Sequence, residues 1–386
     1  MASGSKQPKT KPRKKLIRHN TAANQEKHRA DWLPLQPNDL GIIPDRRIMP
    51  RDERLRRMAL EEKSGQAISV DLGEADWQAA AADGPFRLGV VVEIAKDLCR
   101  VQVDGRNVLC DIRGTLTAEG AGFINVVAVG DRALLSLPEP DHGWVEQVLP
   151  RRSALARHDS YYNHLKQIIA ANMEQVLIVA SWRQPHLWRE LIDEHLIGAA
   201  RNNLHAVICI NKIDLAQDVA ECRAAVQAYA DLGYHVIFTS AVTQAGLDAL
   251  RDVLRDQSTV LAGLSGVGKS SLLSAIQPGF NLPVKSISRK RGQGRHTTTQ
   301  AIMLPLQTGG YVVDTPGIRD LGLRGLYRDE LITFYPEILP AAANCRFTDC
   351  SHIREDQCGV KAAVAEGRIA GWRYENYLKL YNKLPD

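Results

Sequence analysis

The pattern of apolar and polar residues divides the chain into regions with two different periodicities. Between residues 86 and 149, apolar and polar residues alternate with period two and are interrupted by turn residues, which predicts short, half-buried strands. Between residues 175 and 314, apolar residues instead form short continuous runs. Such runs are typical of buried parallel strands, so this second region predicts an α/β domain built on a doubly wound sheet.

The first region predicts a small closed barrel, most simply an OB-fold. Its five strands are expected at residues 88–94, 99–103, 108–112, 132–137 and 143–148, with a turn at 104–107. OB-fold barrels commonly bind nucleic acid on one face. A structural β-domain without a ligand is the alternative interpretation.

A glycine-rich loop follows the apolar run at 259–262 in the second region. The loop fits the pattern G-x-x-x-x-G-K-[ST] and precedes a predicted helix at 271–276. In this strand–loop–helix context, backbone N–H groups point at phosphate oxygens near a helix N-terminus. We expect Lys269 to reach the β- and γ-phosphates and to contribute to catalysis, and the Ser270 hydroxyl to bind Mg²⁺. The predicted phosphate-binding residues are Gly263, Leu264, Ser265, Gly266, Val267, Gly268, Lys269, Ser270 and Ser271.

Two further strings of residues distinguish GTP from ATP. Asn211, Lys212 and Asp214 form an N-K-x-D string at the end of an apolar run. The Asp214 carboxylate can accept hydrogen bonds from guanine N1–H and N2–H₂, which adenine does not offer. Ser240 and Ala241 lie in a T-S-A string after the next run, where a backbone N–H could donate to guanine O6. These residues predict a GTP site.

A third group of predicted site residues, after the P-loop and the guanine-reading strings, follows the apolar run at 311–313. Asp314 begins a D-T-P-G string and is expected in the Mg²⁺ shell, and the Gly317 N–H is expected to meet the γ-phosphate. Many GTPases place a glutamine directly after this glycine to orient the attacking water, but here the position is Ile318. Intrinsic turnover should therefore be slow.

Another group must then align the attacking water, and His296 is the nearest candidate. It precedes three consecutive threonines, of which Thr298 is expected to bind Mg²⁺ when a γ-phosphate is present. Basic residues at 289–291 and 295 lie close to His296 in the sequence, so an RNA contact and an exposed loop histidine are the alternatives. We take His296 and Thr298 as catalytic candidates and leave those alternatives for the histidine open.

The order of these motifs is permuted. In most GTPases the P-loop comes first and the guanine-reading strings come last, whereas here both guanine strings precede the P-loop. Because chain termini usually lie close together, a doubly wound sheet tolerates joining the old termini and opening a new break elsewhere. A predicted helix at 245–254 can serve as the join. The sequence therefore predicts a circularly permuted P-loop GTPase domain.

Three of the seven cysteines lie near one histidine in the C-terminal region. The four residues are Cys345, Cys350, His352 and Cys358. Together they predict a closed tetrahedral Zn²⁺ site, which would be structural because four protein ligands leave no position for water. Reduced surface cysteines beside an unrelated histidine are the alternative. Cys99, Cys110, Cys209 and Cys222 are expected to be small buried apolar residues.

The formal net charge of +5 is concentrated at the start of the chain. Residues 1–19 carry seven basic and no acidic side chains, which predicts a disordered arm attracted to phosphate backbones; a solubilising tail is the alternative. No run of about 18 apolar residues occurs, so we expect a soluble, cytoplasmic chain without a membrane partner.

These regions give the expected domains. The GTPase domain is followed by helices with basic faces, predicted at 360–366 and 372–383. The domains are a basic disordered arm at 1–35, an accessory segment of unassigned role at 36–84, an OB-fold barrel at 85–150, a permuted GTPase domain at 151–335 and a zinc-binding helical domain at 336–386.

The chain resembles the circularly permuted ribosome small-subunit-dependent GTPase A family. The resemblance lies in the order of its three parts, which are a barrel, a permuted GTPase domain and a Cys₃His cluster. The similarity covers residues 86–386 and includes Gly294-Arg295-His296-Thr297-Thr298-Thr299. The resemblance implies a late assembly factor that binds the small ribosomal subunit and its rRNA near the decoding region, hydrolyses GTP to GDP there and leaves. We expect a monomer. A GTP-dependent RNA-binding or tRNA-acting factor, whose GTPase domain only senses nucleotide, is the alternative function.

Overall fold

The structure is a computed structural model of the 386-residue chain. It describes residues 85–95, 98–113, 116, 125–158, 166–279, 301–314, 323 and 325–385. The predicted basic arm at 1–35 and the accessory segment at 36–84 lie outside these ranges, as do His296, Thr298, Gly317 and Ile318. Within the described ranges, no helix is long and apolar enough to cross a membrane.

The period-two region forms the predicted barrel. Its strands are β1 (Phe86–Ala95), β2 (Leu98–Val103), β3 (Arg106–Ile112), β4 (Arg132–Glu139) and β5 (His142–Val148). β1 pairs antiparallel with both β2 and β4, and β3 pairs parallel with β5, so the strand order β1-β2-β3-β5-β4 closes on itself. Inward side chains such as Val91, Val101, Cys110 and Leu135 fill the interior. The prediction of an OB-like barrel is confirmed.

A short hairpin that the sequence did not predict follows the barrel. It consists of β6 (Ala154–His158) and β7 (Lys166–Ala171), which pair antiparallel. Its buried side chains include several alanines, which lack the β-branched and aromatic character that marks strands in a sequence. The linker before the hairpin is attached to the barrel by Arg151, whose Nε lies 2.7 Å from Asp131 Oδ1.

The continuous apolar runs form the strands of the GTPase sheet. They are β8 (Gln175–Ser181), β9 (His205–Asn211), β10 (His235–Phe238), β11 (Ser258–Ala262), β12 (Ile302–Pro305) and β13 (Tyr311–Asp314). Their order is β10-β9-β8-β11-β13-β12, with all neighbours parallel except β12 and β13. All seven residues of β8 are buried, as expected for a strand covered on both faces.

Among the residues that the structure describes, four helices cover the two faces of this sheet. They are α1 (Arg189–Arg201), α2 (Val219–Asp231), α3 (Leu247–Leu254) and α4 (Lys269–Ile276). α1 and α2 contribute Leu196 and Tyr229 to one apolar cluster, and α3 and α4 contribute Leu250 and Leu272 to the other. α3 connects β10 to β11, as predicted for the join in a permuted chain.

The C-terminal region has an apolar core of its own. A 3₁₀ turn at Leu331–Phe334 precedes α5 (Leu339–Ala342), α6 (Gly359–Ala365) and α7 (Gly371–Lys383). The core contains Ile338, Val360 and Leu380, and it extends to Ile197 of α1. This region therefore packs directly against the GTPase sheet's first helix.

α6 and α7 confirm the two helices predicted near the C-terminus, with ends within one residue of those expected. The prediction that α7 has a basic face is wrong at Arg373, because the side chain of this residue is only 2% exposed. The guanidinium is buried because Asp193 and Glu337 supply carboxylates to it. Helical periodicity could not reveal partners that come from other elements.

The barrel and the GTPase sheet are continuous, which the sequence did not predict. β1 pairs antiparallel with β12 through Glu93 and Ile302. The barrel and GTPase strands therefore belong to one eleven-stranded sheet.

Candidate nucleotide site and metal cluster

The P-loop connects β11 to α4 in a conformation that needs glycine. Gly263, Gly266 and Gly268 have φ values of 128°, 84° and 98°. A Cβ atom on Gly263 would lie 2.1 Å from the carbonyl oxygen of Val179, and one on Gly268 would lie 2.4 Å from Asn211 Nδ2. Both positions are left-handed and closely packed, so the loop depends on the absence of side chains there.

Lys269 begins α4 and directs its ammonium group back over the loop. Its Nζ donates to the carbonyl oxygens of Gly263 and Leu264, each at 2.8 Å. Ser270 and Ser271 lie in the first turn of the same helix. Val267, two residues before Lys269, is 2% exposed and anchors the loop in the apolar core. The arrangement offers a backbone cradle, a cation and two hydroxyls at one helix N-terminus, as phosphate binding requires.

Asn211 and Lys212 support the P-loop from the end of β9, which is separated from β11 by β8. Asn211 is buried and donates from Nδ2 to the carbonyl oxygen of Val267 at 2.8 Å. Lys212 donates from Nζ to the carbonyl oxygens of Gly266, at 2.7 Å, and of Gln184. No motif in the sequence pointed to Gln184, whose role depends only on its backbone carbonyl.

The guanine-side residues form a second group at the same edge of the sheet. Asp214 lies in the short 3₁₀ turn Ile213–Leu215 after β9, and Ser240 and Ala241 follow β10. The Ser240 hydroxyl donates to Asp214 Oδ1, and the Thr243 N–H donates to Ser240 Oγ at 3.1 Å. A carboxylate has four lone-pair sites, so Asp214 retains acceptor capacity for the two N–H groups of guanine.

Asp314 ends β13 beside the strand that carries the P-loop. Its backbone is paired in register with Leu261 of β11 on one side and with Ile302 of β12 on the other. The structure thus brings the P-loop, the guanine-side residues and the backbone of Asp314 to the same edge of the sheet. The predicted residues His296, Thr298 and Gly317 lie outside the described residues.

The four predicted zinc ligands also come together. The donor atoms of Cys345, Cys350, His352 and Cys358 all lie within 4.8 Å of one another. Cys345 Sγ lies 3.8 Å from Cys358 Sγ, and the two sulfurs lie 3.4 and 3.5 Å from His352 Nδ1. Tetrahedral Zn²⁺ with Zn–S bonds of about 2.3 Å separates its sulfur ligands by about 3.8 Å and sulfur from nitrogen by about 3.6 Å. The donor set and its spacing therefore fit a Zn²⁺ ion.

Two residues that the sequence did not single out support the cluster. Glu355 accepts hydrogen bonds from the backbone N–H groups of Ser351 and Ile353, each at 2.9 Å. Burial raises the pKa of Glu355, but these bonds and that of the Ser351 hydroxyl outweigh it and lower the pKa to about 2. Tyr374 donates from its hydroxyl to the carbonyl oxygen of His352 at 2.5 Å. Both contacts hold the loop that carries the ligands.

The other four cysteines are buried, as predicted. Cys99, Cys110, Cys209 and Cys222 are each 0% exposed. Burial raises the pKa values of Cys110 and Cys209 to about 12, so both thiols are neutral at ordinary pH.

Strand order and site geometry together define a class of protein: a P-loop GTPase whose motifs run in circularly permuted order. The family model described as RsgA GTPase matches residues 148–324. With the relatives described next, this match shows that the chain belongs to the RsgA GTPase family, and the enzyme is a GTP hydrolase.

Curated relatives are similar over nearly their whole length. The small ribosomal subunit biogenesis GTPase RsgA of Thermotoga maritima is 38% identical over 302 residues, covering 77% of this chain and 97% of the relative. The protein of the same name from Bacteroides fragilis is 33% identical over 296 residues, covering 76% and 95%.

Solved structures share the fold. The crystal structure of YjeQ from Thermotoga maritima superposes with a TM-score of 0.63 at 35% identity, covering 78% of this chain and 98% of that one. The structure of YloQ, described as a circularly permuted GTPase, superposes with a TM-score of 0.59 at 27% identity, covering 78% and 95%. The permuted order deduced from the motifs is thus shared with a solved protein.

Proposed function

We propose that this chain binds the small ribosomal subunit and hydrolyses GTP there during late subunit maturation. The observation that carries the proposal is its similarity to relatives named small ribosomal subunit biogenesis GTPase RsgA, one of them covered over 97% of its length. An OB-like barrel is a common nucleic-acid-binding fold, and it is joined here to a GTPase site. We also expect the chain to act as a monomer in the cytoplasm.

Each residue of the nucleotide site has a role in this proposal. The backbone N–H groups of 263–271 and the Lys269 ammonium bind the phosphates. Asp214 accepts from guanine N1–H and N2–H₂, and the turn at Ser240 and Ala241 presents a backbone N–H to guanine O6. Bound Mg²⁺ would neutralise charge on the β- and γ-phosphates. Its protein ligands would be Ser270, Thr298 and Asp314.

Hydrolysis needs a group that orients water, because Ile318 occupies the usual position of glutamine. We assign this role to His296, with Gly317 donating its N–H to the γ-phosphate. A His296→Ala variant should bind GTP and the subunit normally and lose most of the stimulated turnover. Full stimulated turnover by that variant would remove His296 from the mechanism.

We further propose that Cys345, Cys350, His352 and Cys358 hold one structural Zn²⁺. The sulfur–sulfur separation of 3.8 Å supports this assignment. A structural role follows because the four protein ligands fill a tetrahedral site and leave no position for water. The ion would stabilise the C-terminal region and take no part in hydrolysis.

The decisive experiment measures GTP turnover with and without purified small ribosomal subunits. We expect slow intrinsic turnover and clear stimulation by the subunit, whereas a nucleotide sensor would bind the subunit without stimulation. Co-sedimentation with subunits should be stronger with a non-hydrolysable GTP analogue than with GDP. Lack of both stimulation and co-sedimentation would overturn the proposed function.

A further inference from the structure

β1 passes from the barrel into the GTPase sheet. Its first residues pair with β4, ending at Val90 and Arg132. The register with β2 then shifts between Val91 and Glu93, and Glu93 pairs with Ile302 of β12. Such irregularities bend a strand and are common at barrel rims. The same strand is therefore a wall of the barrel and a neighbour of the GTPase strands.

The point of contact lies at the nucleotide edge of the sheet. Glu93 pairs with Ile302, Ile302 with Asp314, and Asp314 with Leu261, so these four residues lie side by side on adjacent strands. At a strand spacing of about 4.8 Å, the backbone of Glu93 lies about 10 Å from that of Asp314. Gly263, the first residue of the P-loop, follows Leu261 by two positions.

Three contacts stabilise this junction, which we call the seam and define as Val92, Glu93, Arg100, Gln102 and Tyr311. Two of them reach the GTPase strands, and the third joins β1 to β2 within the barrel. Val92 packs in the apolar cluster of the GTPase sheet rather than in that of the barrel. Glu93 Oε2 lies 3.0 Å from Arg100 Nη1, and the Glu93 side chain is 1% exposed. The Tyr311 hydroxyl of β13 donates to Gln102 Oε1 of β2 at 2.7 Å.

The seam allows one relative orientation of barrel and GTPase strands. A buried carboxylate is costly unless its cationic partner stays in place, so a shift of β1 against β2 would break the Glu93–Arg100 pair. A shift of β1 against β12 would expose Val92, which packs in the cluster of the GTPase sheet. Consequently β1, β2, β12 and β13 move together.

We propose that the seam transmits binding at the barrel to the nucleotide edge, and that Glu93 and Arg100 are positioning residues for the subunit-stimulated step of GTP hydrolysis only. This inference rests on the proposed function, in which the barrel contacts the small subunit. A ligand that favours one orientation of β1 also favours one position of β12 and β13, and therefore of Asp314. By linkage, GTP held in that position raises affinity for the ligand by the same factor.

The test replaces the ion pair by neutral amides, with Glu93→Gln, which keeps the side-chain length, and Arg100→Gln, which shortens it. GTP affinity, intrinsic turnover and the KM for subunits should stay within about twofold of wild type, whereas the subunit-stimulated kcat should fall about tenfold, within the usual range of coupling between sites. Arg100→Lys, which keeps the charge, should retain most of the stimulation. Tyr311→Phe, which removes only the hydroxyl bonded to Gln102, should lower it by a smaller factor.

The matched control is Arg113→Gln with Glu146→Gln, which removes another barrel ion pair that does not touch β12. This control should keep the stimulated kcat. Full stimulation in the seam variants, or an equal loss in the control, would overturn the inference while leaving the proposed function intact. A wild-type chain that binds subunits without being stimulated would overturn the inference, and one that neither binds subunits nor is stimulated would overturn the proposed function as well. If circular dichroism shows that the double seam variant does not fold, the Tyr311→Phe result decides.

Discussion

Arg373 of α7 forms a buried ion pair with Asp193 of α1. Arg373 also donates from Nε to Glu337 Oε1 at 2.6 Å, and Asn376 and Tyr229 donate to Asp193 at 2.7 and 2.6 Å. Burial lowers the pKa of Arg373, but the two carboxylates outweigh it and raise the pKa above its usual range. One buried polar cluster thus attaches the C-terminal region to the GTPase sheet.

Removing the cation from this cluster should destabilise the protein strongly. Arg373→Met leaves the Asp193 carboxylate buried without its charged partner, and we expect the free energy of unfolding to fall by about 3–5 kcal/mol. Urea unfolding followed by circular dichroism measures the loss. Lys383→Met is the control, because Lys383 pairs with Glu190 and Glu194 but is 45% exposed and should cost under about 1 kcal/mol. Equal losses would show that burial does not set the strength of the cluster.

Nucleotide choice should depend on Asp214. The substitution Asp214→Asn leaves two guanine N–H groups without an anionic acceptor, so GTP and GDP binding should weaken by about 3 kcal/mol. Xanthine nucleotides should bind better than to wild type, because the 2-oxo group of xanthine can accept from the new amide. Isothermal titration with each nucleotide checks both effects. Asp248→Asn on the exposed side of α3 should change neither, and equal ATP and GTP affinity in the wild type would contradict the assignment.

The metal cluster should contain one tightly held Zn²⁺ per chain. Elemental analysis of protein purified without added metal measures it, and strong chelation should unfold the C-terminal region because binding and folding are coupled there. Cys358→Ser should lose the ion, whereas Cys222→Ser should keep it. A zinc content near zero in folded wild-type protein, together with freely titratable thiols, would contradict this assignment.

The buried thiols should make stability depend on alkaline pH. The pKa of Cys209 is about 12 in the folded protein against an ordinary value of 9.0. The folded-state pKa is raised, so this contribution to stability is full below pH 9 and is lost as pH rises towards 12. Between pH 9 and 10 the wild type should lose about 1 kcal/mol more stability than Cys209→Ala. Urea unfolding at the two pH values measures the difference, and parallel losses would contradict it.

Much of the fold follows from local pattern, and the parts that do not follow depend on distant partners. Period-two alternation predicted the barrel, and the glycines with Asn211 and Asp214 predicted a GTP site, because these signals lie within a few consecutive residues. Glu93 and Arg373 look like surface charges in their own elements. Each is buried only because a partner from another strand or helix meets it, and neither periodicity nor composition contains that information.

The permuted strand order has a consequence for the chain as it emerges during synthesis. β8, β9 and β10 pair consecutively and can assemble early with α1 and α2, but β11 must later be added along the open edge of β8. β11 ends at residue 262, some 50 residues after the end of β9, which at about 5–20 residues per second takes about 3–10 s. During that interval β8, which is buried at all seven positions of the folded protein, has an unpaired edge. A nascent chain of this protein therefore contains its guanine-reading residues before its P-loop has been synthesised. Until β11 is added, the open edge of β8 is prone to mispairing.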